Sequence, residues 1–131
     1  MKKKLLAVLI ISFTLFVSCE EECDGFFNTC ADGPFFGDLN VKLTINAENP
    51  EVEVVIFRGR MEKQDTVIHE FVSQKSKIYN LEAGHYYSGN AYYHDGIKEI
   101  LAINGKELST STDDCDCEYG ENKNLNLRLA K

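Results

Sequence analysis

Three features of the amino-acid sequence predict an all-β fold, a single antiparallel β-sandwich of about seven or eight short strands. Apolar and polar residues alternate at period two in one segment after another from Leu39 onward. Turn residues punctuate those segments, among them Asn49-Pro50, Ala83-Gly84, Asp95-Gly96 and Asn104-Gly105. No window repeats apolar residues at the spacing of an amphipathic helix. With 131 residues, 44% hydrophobic and 11% aromatic, the chain is long enough for one packed domain and too apolar for an intrinsically disordered one.

Taken in order, the segment from Cys23 to Gly37 is rich in Gly and Asp and reads as loop. Its four phenylalanines, Phe26, Phe27, Phe35 and Phe36, demand burial and are expected to cap one end of the core. Leu39, Val41, Leu43 and Ile45 line one face of the first strand. In the second, Val52, Val54 and Ile56 share one face and Val55 and Phe57 the other, which predicts a central strand buried on both sides. Thr66 to Val72 forms a third, rich in branched and aromatic residues. Ile78 to Leu81 leads through Glu82-Ala83-Gly84 to His85-Tyr86-Tyr87. Period two then places Tyr87, Gly89, Ala91 and Tyr93 inward, with Tyr86, Ser88, Asn90 and Tyr92 outward. After the Asp95-Gly96 turn, Ile97 to Ile103 is a strand. Asn104-Gly105 reads as a type I′ hairpin turn, whose two positions both need positive φ, and Lys106 to Ser109 returns. Thr110 to Tyr119 is a polar, acidic loop, and Leu125, Leu127 and Leu129 close the domain.

The spacing Leu81-x-x-Gly84-x-x-Tyr87 resembles the tyrosine corner of fibronectin-type and other immunoglobulin-like sandwiches. The resemblance implies an immunoglobulin-like or transthyretin-like body and a turn that carries the chain between sheets. It also implies that the Tyr87 hydroxyl bonds to backbone upstream.

At the other end of the chain, Lys2, Lys3 and Lys4 precede an apolar run from Leu5 to Val17. As a helix that run spans about 20 Å, short of the ~30 Å hydrocarbon core, so it reads as a secretory signal. It ends in Phe16-Val17-Ser18-Cys19, which resembles the lipobox of bacterial lipoproteins. Ordinary signal cleavage after Ser18 is the competing reading, but it wants a small residue where Phe16 stands. The lipobox resemblance implies that residues 1–18 are a lipoprotein signal peptide and that Cys19 is the lipidation site. The membrane is then a partner through the acyl chains. Glu20-Glu21-Glu22, with Asp24 behind, resembles the acidic stretch that carries some Gram-negative lipoproteins to the outer face of the outer membrane. It implies surface display, with periplasm-facing anchorage as the alternative. Residues 19–37 then form an acidic, Cys- and Phe-rich tether, and 38–131 the sandwich.

Five cysteines become four once Cys19 is assigned to lipid. In an oxidising compartment Cys23, Cys30, Cys115 and Cys117 read as two disulfides, with three connectivities. Cys115 and Cys117 are one residue apart, and joining them would close a small, strained ring. Cross-pairing with Cys23 and Cys30 is therefore expected, stapling the N-terminal segment to a loop near the C-terminus.

Charge excludes one class of partner. The chain carries 14 Lys plus Arg against 21 Asp plus Glu. Removing Lys2, Lys3 and Lys4 takes the basic count from 14 to 11 and the net charge from −7 to −10. Nucleic-acid binding rests on basic groups neutralising phosphates, so none is expected.

Nor does a catalytic constellation stand out. His69, His85 and His94 are the only imidazoles, and no nucleophile elbow or phosphate-binding glycine loop accompanies them. Asp113, Asp114, Asp116 and Glu118 surround the Cys pair, yet neither zinc-ligand nor EF-hand spacing is present. No cofactor or metal is expected. The outward stripe of Tyr86, Ser88, Asn90 and Tyr92 is the candidate ligand-binding surface, since aromatic faces beside hydrogen-bonding groups suit a glycan or an envelope protein. The sequence thus points to a non-enzymatic, membrane-anchored envelope lipoprotein that binds or assembles. The alternative is a small envelope hydrolase or metal-dependent enzyme.

Overall fold

Period-two alternation becomes nine strands among the residues that the structure, a computed structural model, describes: 30–63 and 65–130. The strands are β1 (Phe36–Lys42), β2 (Val52–Arg58), β3 (Thr66–Val72), β4 (Ser76–Glu82) and β5 (His85–Asp95). They continue with β6 (Lys98–Leu108), β7 (Thr110–Thr112), β8 (Glu118–Gly120) and β9 (Lys123–Asn126). A 3₁₀ turn, Met61–Lys63, lies between β2 and β3. One sheet has the order β4-β1-β9 and the other β3-β2-β5-β6, while β7 and β8 pair as a short hairpin. The two larger sheets pack face to face as a sandwich. Strands β1 and β4 are adjacent in one layer, and β2, β5 and β6 in the other.

Residues 1–18, read from sequence as a signal peptide, and Cys19, Glu20 to Glu22, Cys23, Phe26 and Phe27 lie outside the described residues.

Side-chain alternation fixes the core. Leu39, Val41, Val52, Val54, Ile56, Tyr87, Ala91, Tyr93 and Leu108 are fully buried, joined by Leu43, Leu125 and Leu127. Strand β2 lies between β3 and β5, as its two apolar faces require. Leu125 and Leu127 close over Gly89 of β5, at 2.9 and 3.0 Å from where a Cβ would stand. Tyr93 ties the layers together: its hydroxyl donates to the Leu127 carbonyl at 2.8 Å and accepts the Thr44 N–H at 3.0 Å. Of the expected aromatic cap, Phe35 packs against the core, but Phe36 is 52% exposed. Phe36 is already the first residue of β1, and alternation turns it away from the side that buries Leu39 and Val41.

The turn between layers is the corner that the Leu-x-x-Gly-x-x-Tyr spacing implied. Strand β4 ends in the first sheet and β5 begins in the second. Gly84, at φ +84°, takes the left-handed conformation that the bend requires.

Two expectations are corrected. The sandwich is not wholly antiparallel: β9 runs parallel to β1, with Leu39 opposite Lys123 and Val41 opposite Leu125. The chain arrives there from the β7–β8 hairpin, where Gly120 and Glu121 lie beside Phe36 and Gly37. It therefore sets out along β1 from β1's own beginning. The second correction is that Asn104-Gly105 is not a hairpin turn. Both residues sit within the unbroken strand β6, opposite Gly89 and Ser88 of β5. The hairpin is closed earlier, by a two-residue turn of Gly96 (φ +62°) and Ile97 between the paired Asp95 and Lys98. Gly105 serves a different need. The Tyr86 ring lies across it, in the space a Cβ would occupy, and shields its bare backbone.

The loop before β8 is stapled to the segment before β1 by a Cys30–Cys117 disulfide, 87 residues apart in sequence. Cys115 is disulfide-bonded as well. Since Cys117 is taken by Cys30, the small Cys115–Cys117 ring does not form. Asp113 shapes this loop by accepting the N–H groups of both Cys115 and Cys117 at 2.9 Å.

Candidate functional site

Strand register assembles the outward face of the four-stranded sheet in rows. Phe71, Glu53, Tyr92 and Leu101 form one row across β3, β2, β5 and β6. His69, Val55, Asn90 and Ile103 form the next, followed by Phe57, Ser88 and Gly105. Tyr86 lies beyond, opposite Glu107.

The face is apolar and open at its margins. Phe71 is 62% exposed, Ile103 55%, Tyr86 44% and Leu101 42%. Phe57 and Tyr92 are half-buried. Isolated exposed apolar residues are ordinary on protein surfaces, whereas a contiguous group of them marks an interaction site. The outward positions of these strands carry no Lys or Arg, only Glu53, Glu99 and Glu107. Glu53 is engaged by His69, with Nε2 2.6 Å from Oε1.

Of the four residues in the expected stripe, the structure exposes only one fully. Tyr86 is open and Tyr92 half-buried, but Ser88 (6%) and Asn90 (3%) are buried, which corrects the reading of an exposed column. The cause is β6. Running straight through Asn104-Gly105, it flanks β5 on one side while β2 flanks the other. Val55, Phe57, Leu101 and Ile103 then wall in the two small residues.

Ser88 is satisfied there, donating to the Gly59 carbonyl at 2.8 Å. Asn90 is not: its Oδ1 is buried with no hydrogen-bond partner. An unpaired acceptor of this kind costs roughly 1–3 kcal/mol, and it lies in the middle of an apolar face. Phe57, Phe71, Leu101 and Ile103 complete the site and were not singled out from sequence. The apolar second face of β2, at Val55 and Phe57, was the signal that pointed toward them.

An open groove borders the Tyr86 end of this face. One lobe, about 470 Å³, is lined by Phe57, Met61, Glu62 and Thr66, and a second, about 630 Å³, by Gly59, Arg60, Glu62, Lys63 and Tyr86.

Electrostatics elsewhere is structural. Burial holds the Tyr87 and Tyr93 hydroxyls above the usual phenol range. Tyr79 is raised furthest, by burial and then by its 2.6 Å hydrogen bond to the Glu70 carboxylate. Glu70 and Lys77 are also paired, at 3.7 Å. His85 lies 3.7 Å from Glu82, and the backbone N–H of His94 donates to Asn49 Oδ1 at 2.7 Å. Among the described residues no three His, Cys, Asp or Glu side chains converge to hold a metal ion. No known protein family, curated protein or solved structure matches this chain.

Proposed function

We propose that this chain is a lipid-anchored, non-enzymatic binding module of the bacterial cell envelope, displayed at the outer membrane through acylated Cys19. It presents the outward face of β3-β2-β5-β6 to a protein partner. The observation that carries the reading is the contiguous exposed apolar group on this face, with Phe71, Ile103, Tyr86 and Leu101 at 62%, 55%, 44% and 42% exposure. Apolar surface gathered in this way is what a protein partner would bury on docking. The Lys-rich apolar leader and the Ser18-Cys19 junction support the anchor. With a net charge of −10 outside the leader, the body is repelled by anionic headgroups, so acyl chains must hold it at the membrane.

The test uses the full chain in cells. A photo-crosslinking residue at position 101 should give a discrete protein adduct, while one at Asn80, on the outer side of the other sheet, should not. Phe71→Ser with Ile103→Ser, at two exposed positions of the face, should deplete the adduct while the protein stays folded. Equal crosslinking from both faces, or an adduct indifferent to Phe71 and Ile103, would refute the face assignment. The anchor is tested separately: Cys19→Ser should abolish acyl labelling and release the protein from membranes.

A further inference from the structure

We infer that β6 is a docking edge for an extended segment of another protein, which adds a fifth strand to β3-β2-β5-β6. This deepens the binding-module reading and rests on it. Strand β6 is eleven residues long and pairs only with β5 among the described residues. Its free side is apolar at the centre, where Ile100, Leu101 and Ile103 are 38%, 42% and 55% exposed, and Ile97 at the adjoining turn is fully exposed. A two-residue turn makes Asp95 and Lys98 a hydrogen-bonded pair, so alternation directs the N–H and C=O groups of Glu99, Leu101, Ile103 and Gly105 away from β5. The Gly105 N–H is capped by Asn104 Oδ1 at 2.8 Å. Glu99, Leu101 and Ile103 are left as a backbone template of the kind β-augmentation uses.

Charge and geometry select the occupant. Lys98-Glu99 and Lys106-Glu107 bracket the apolar stretch. Two copies of this fold meeting antiparallel, edge to edge, are related by a twofold axis normal to the sheet, which pairs residues of the same face. Pairing centred on Ala102 sets Lys98 against Lys106, and pairing centred on Ile103 sets Glu99 against Glu107. Like charges directly opposite are destabilising. The matched alignment, Lys98 with Glu107 and Glu99 with Lys106, sets one face against the other and is closed to a second copy. The acidic body adds repulsion between copies. The partner is therefore a different chain, whose strand places acids opposite Lys98 and Lys106 and bases opposite Glu99 and Glu107.

The probe is a synthetic peptide, Lys-Glu-Thr-Thr-Val-Thr-Val-Thr-Lys-Glu, which supplies those charges when it runs antiparallel to β6. The control has each Lys and Glu exchanged. With the disulfide-intact chain, the matched peptide should bind about tenfold more tightly than the control. It should also slow hydrogen exchange at the Glu99, Leu101 and Ile103 amides. Lys98→Glu with Lys106→Glu should lessen or reverse the preference. Leu101→Pro, which removes an outward N–H and no β5 bond, should abolish binding, as should Ile103→Lys if the proline variant fails to fold. Equal binding of both peptides, no protection at millimolar peptide, protection at β3 or β4 instead, or dimerisation through β6 would each overturn the proposal. If a crosslinking residue at Ile103 still gives the adduct when Leu101→Pro is present, the apolar face binds without the edge and only this inference falls.

Discussion

The hydroxyl of Tyr87 donates a 2.7 Å hydrogen bond to the carbonyl of Glu82, five residues upstream, across the turn that passes the chain from one sheet to the other. Tyr87 is wholly buried, and Arg58 braces the same corner through a 3.3 Å ion pair with the Glu82 carboxylate. Tyr87→Phe keeps the ring and orphans the carbonyl. It should lower the unfolding free energy by about 1–2 kcal/mol in urea titrations. A loss within error of zero would show that the corner is held by packing alone.

The Cys30–Cys117 bridge closes a long loop, and its contribution comes mainly from restricting the unfolded chain. Cys30→Ser with Cys117→Ser should cost about 2–4 kcal/mol while leaving the far-ultraviolet circular dichroism β-rich. Full retention of the melting temperature would mean that Cys115's disulfide already supplies the restraint.

Tyr79, Tyr87 and Tyr93 all have hydroxyls held above the ordinary value, chiefly by burial. A phenol with a folded pKa above its unfolded value near 10 binds its proton more tightly in the native state. Its stabilising contribution is complete below about pH 10 and is lost as pH rises toward the folded values. Stability should therefore decline above about pH 10, with late phenolate absorbance appearing together with unfolding. Ionisation of these three near pH 10 in a still-folded protein would contradict their burial.

Tyr86 and Gly105 should be energetically coupled, because a Cβ at 105 would occupy the space the ring now fills. Gly105→Ala alone should destabilise by about 1–2 kcal/mol. In a Tyr86→Ala background the same change should be neutral or stabilising, since alanine suits a strand better than glycine. Additive effects in a double-mutant cycle would refute the contact.

Much of the sandwich was legible because half-buried strands write their faces into the sequence. Leu39, Val41, Val52, Val54 and Ile56 all point where alternation places them. The Tyr87 corner was readable from its spacing for the same reason: a sharp bend and a hydroxyl acceptor are local requirements. Asn104-Gly105 misled because the dipeptide has the chemistry of a hairpin turn. Only the tertiary approach of Tyr86 shows that its glycine is needed for space. That one shift hid the site. With a turn at 104, β6 would end beside Asn90, and Ser88 and Tyr86 would lack a neighbour on that side. With β6 continuous, Gly105 and Glu107 stand opposite them and the outward face runs the length of β5. Parallel β9 was illegible because its alternation of leucines states a face and no direction.

The placement of β9 also dictates when the protein can become itself. The lid over Gly89 and the second neighbour of β1 both come from residues 123–127, which leave the ribosome after the other eight described strands. Until they emerge, a nascent chain has Leu39 and Val41 on a bare rim and no roof above β5. Such a chain stays pliant until β9 arrives to close both layers. A stop codon ahead of Lys123 should yield no folded product, even though β1 to β8 would all have been made.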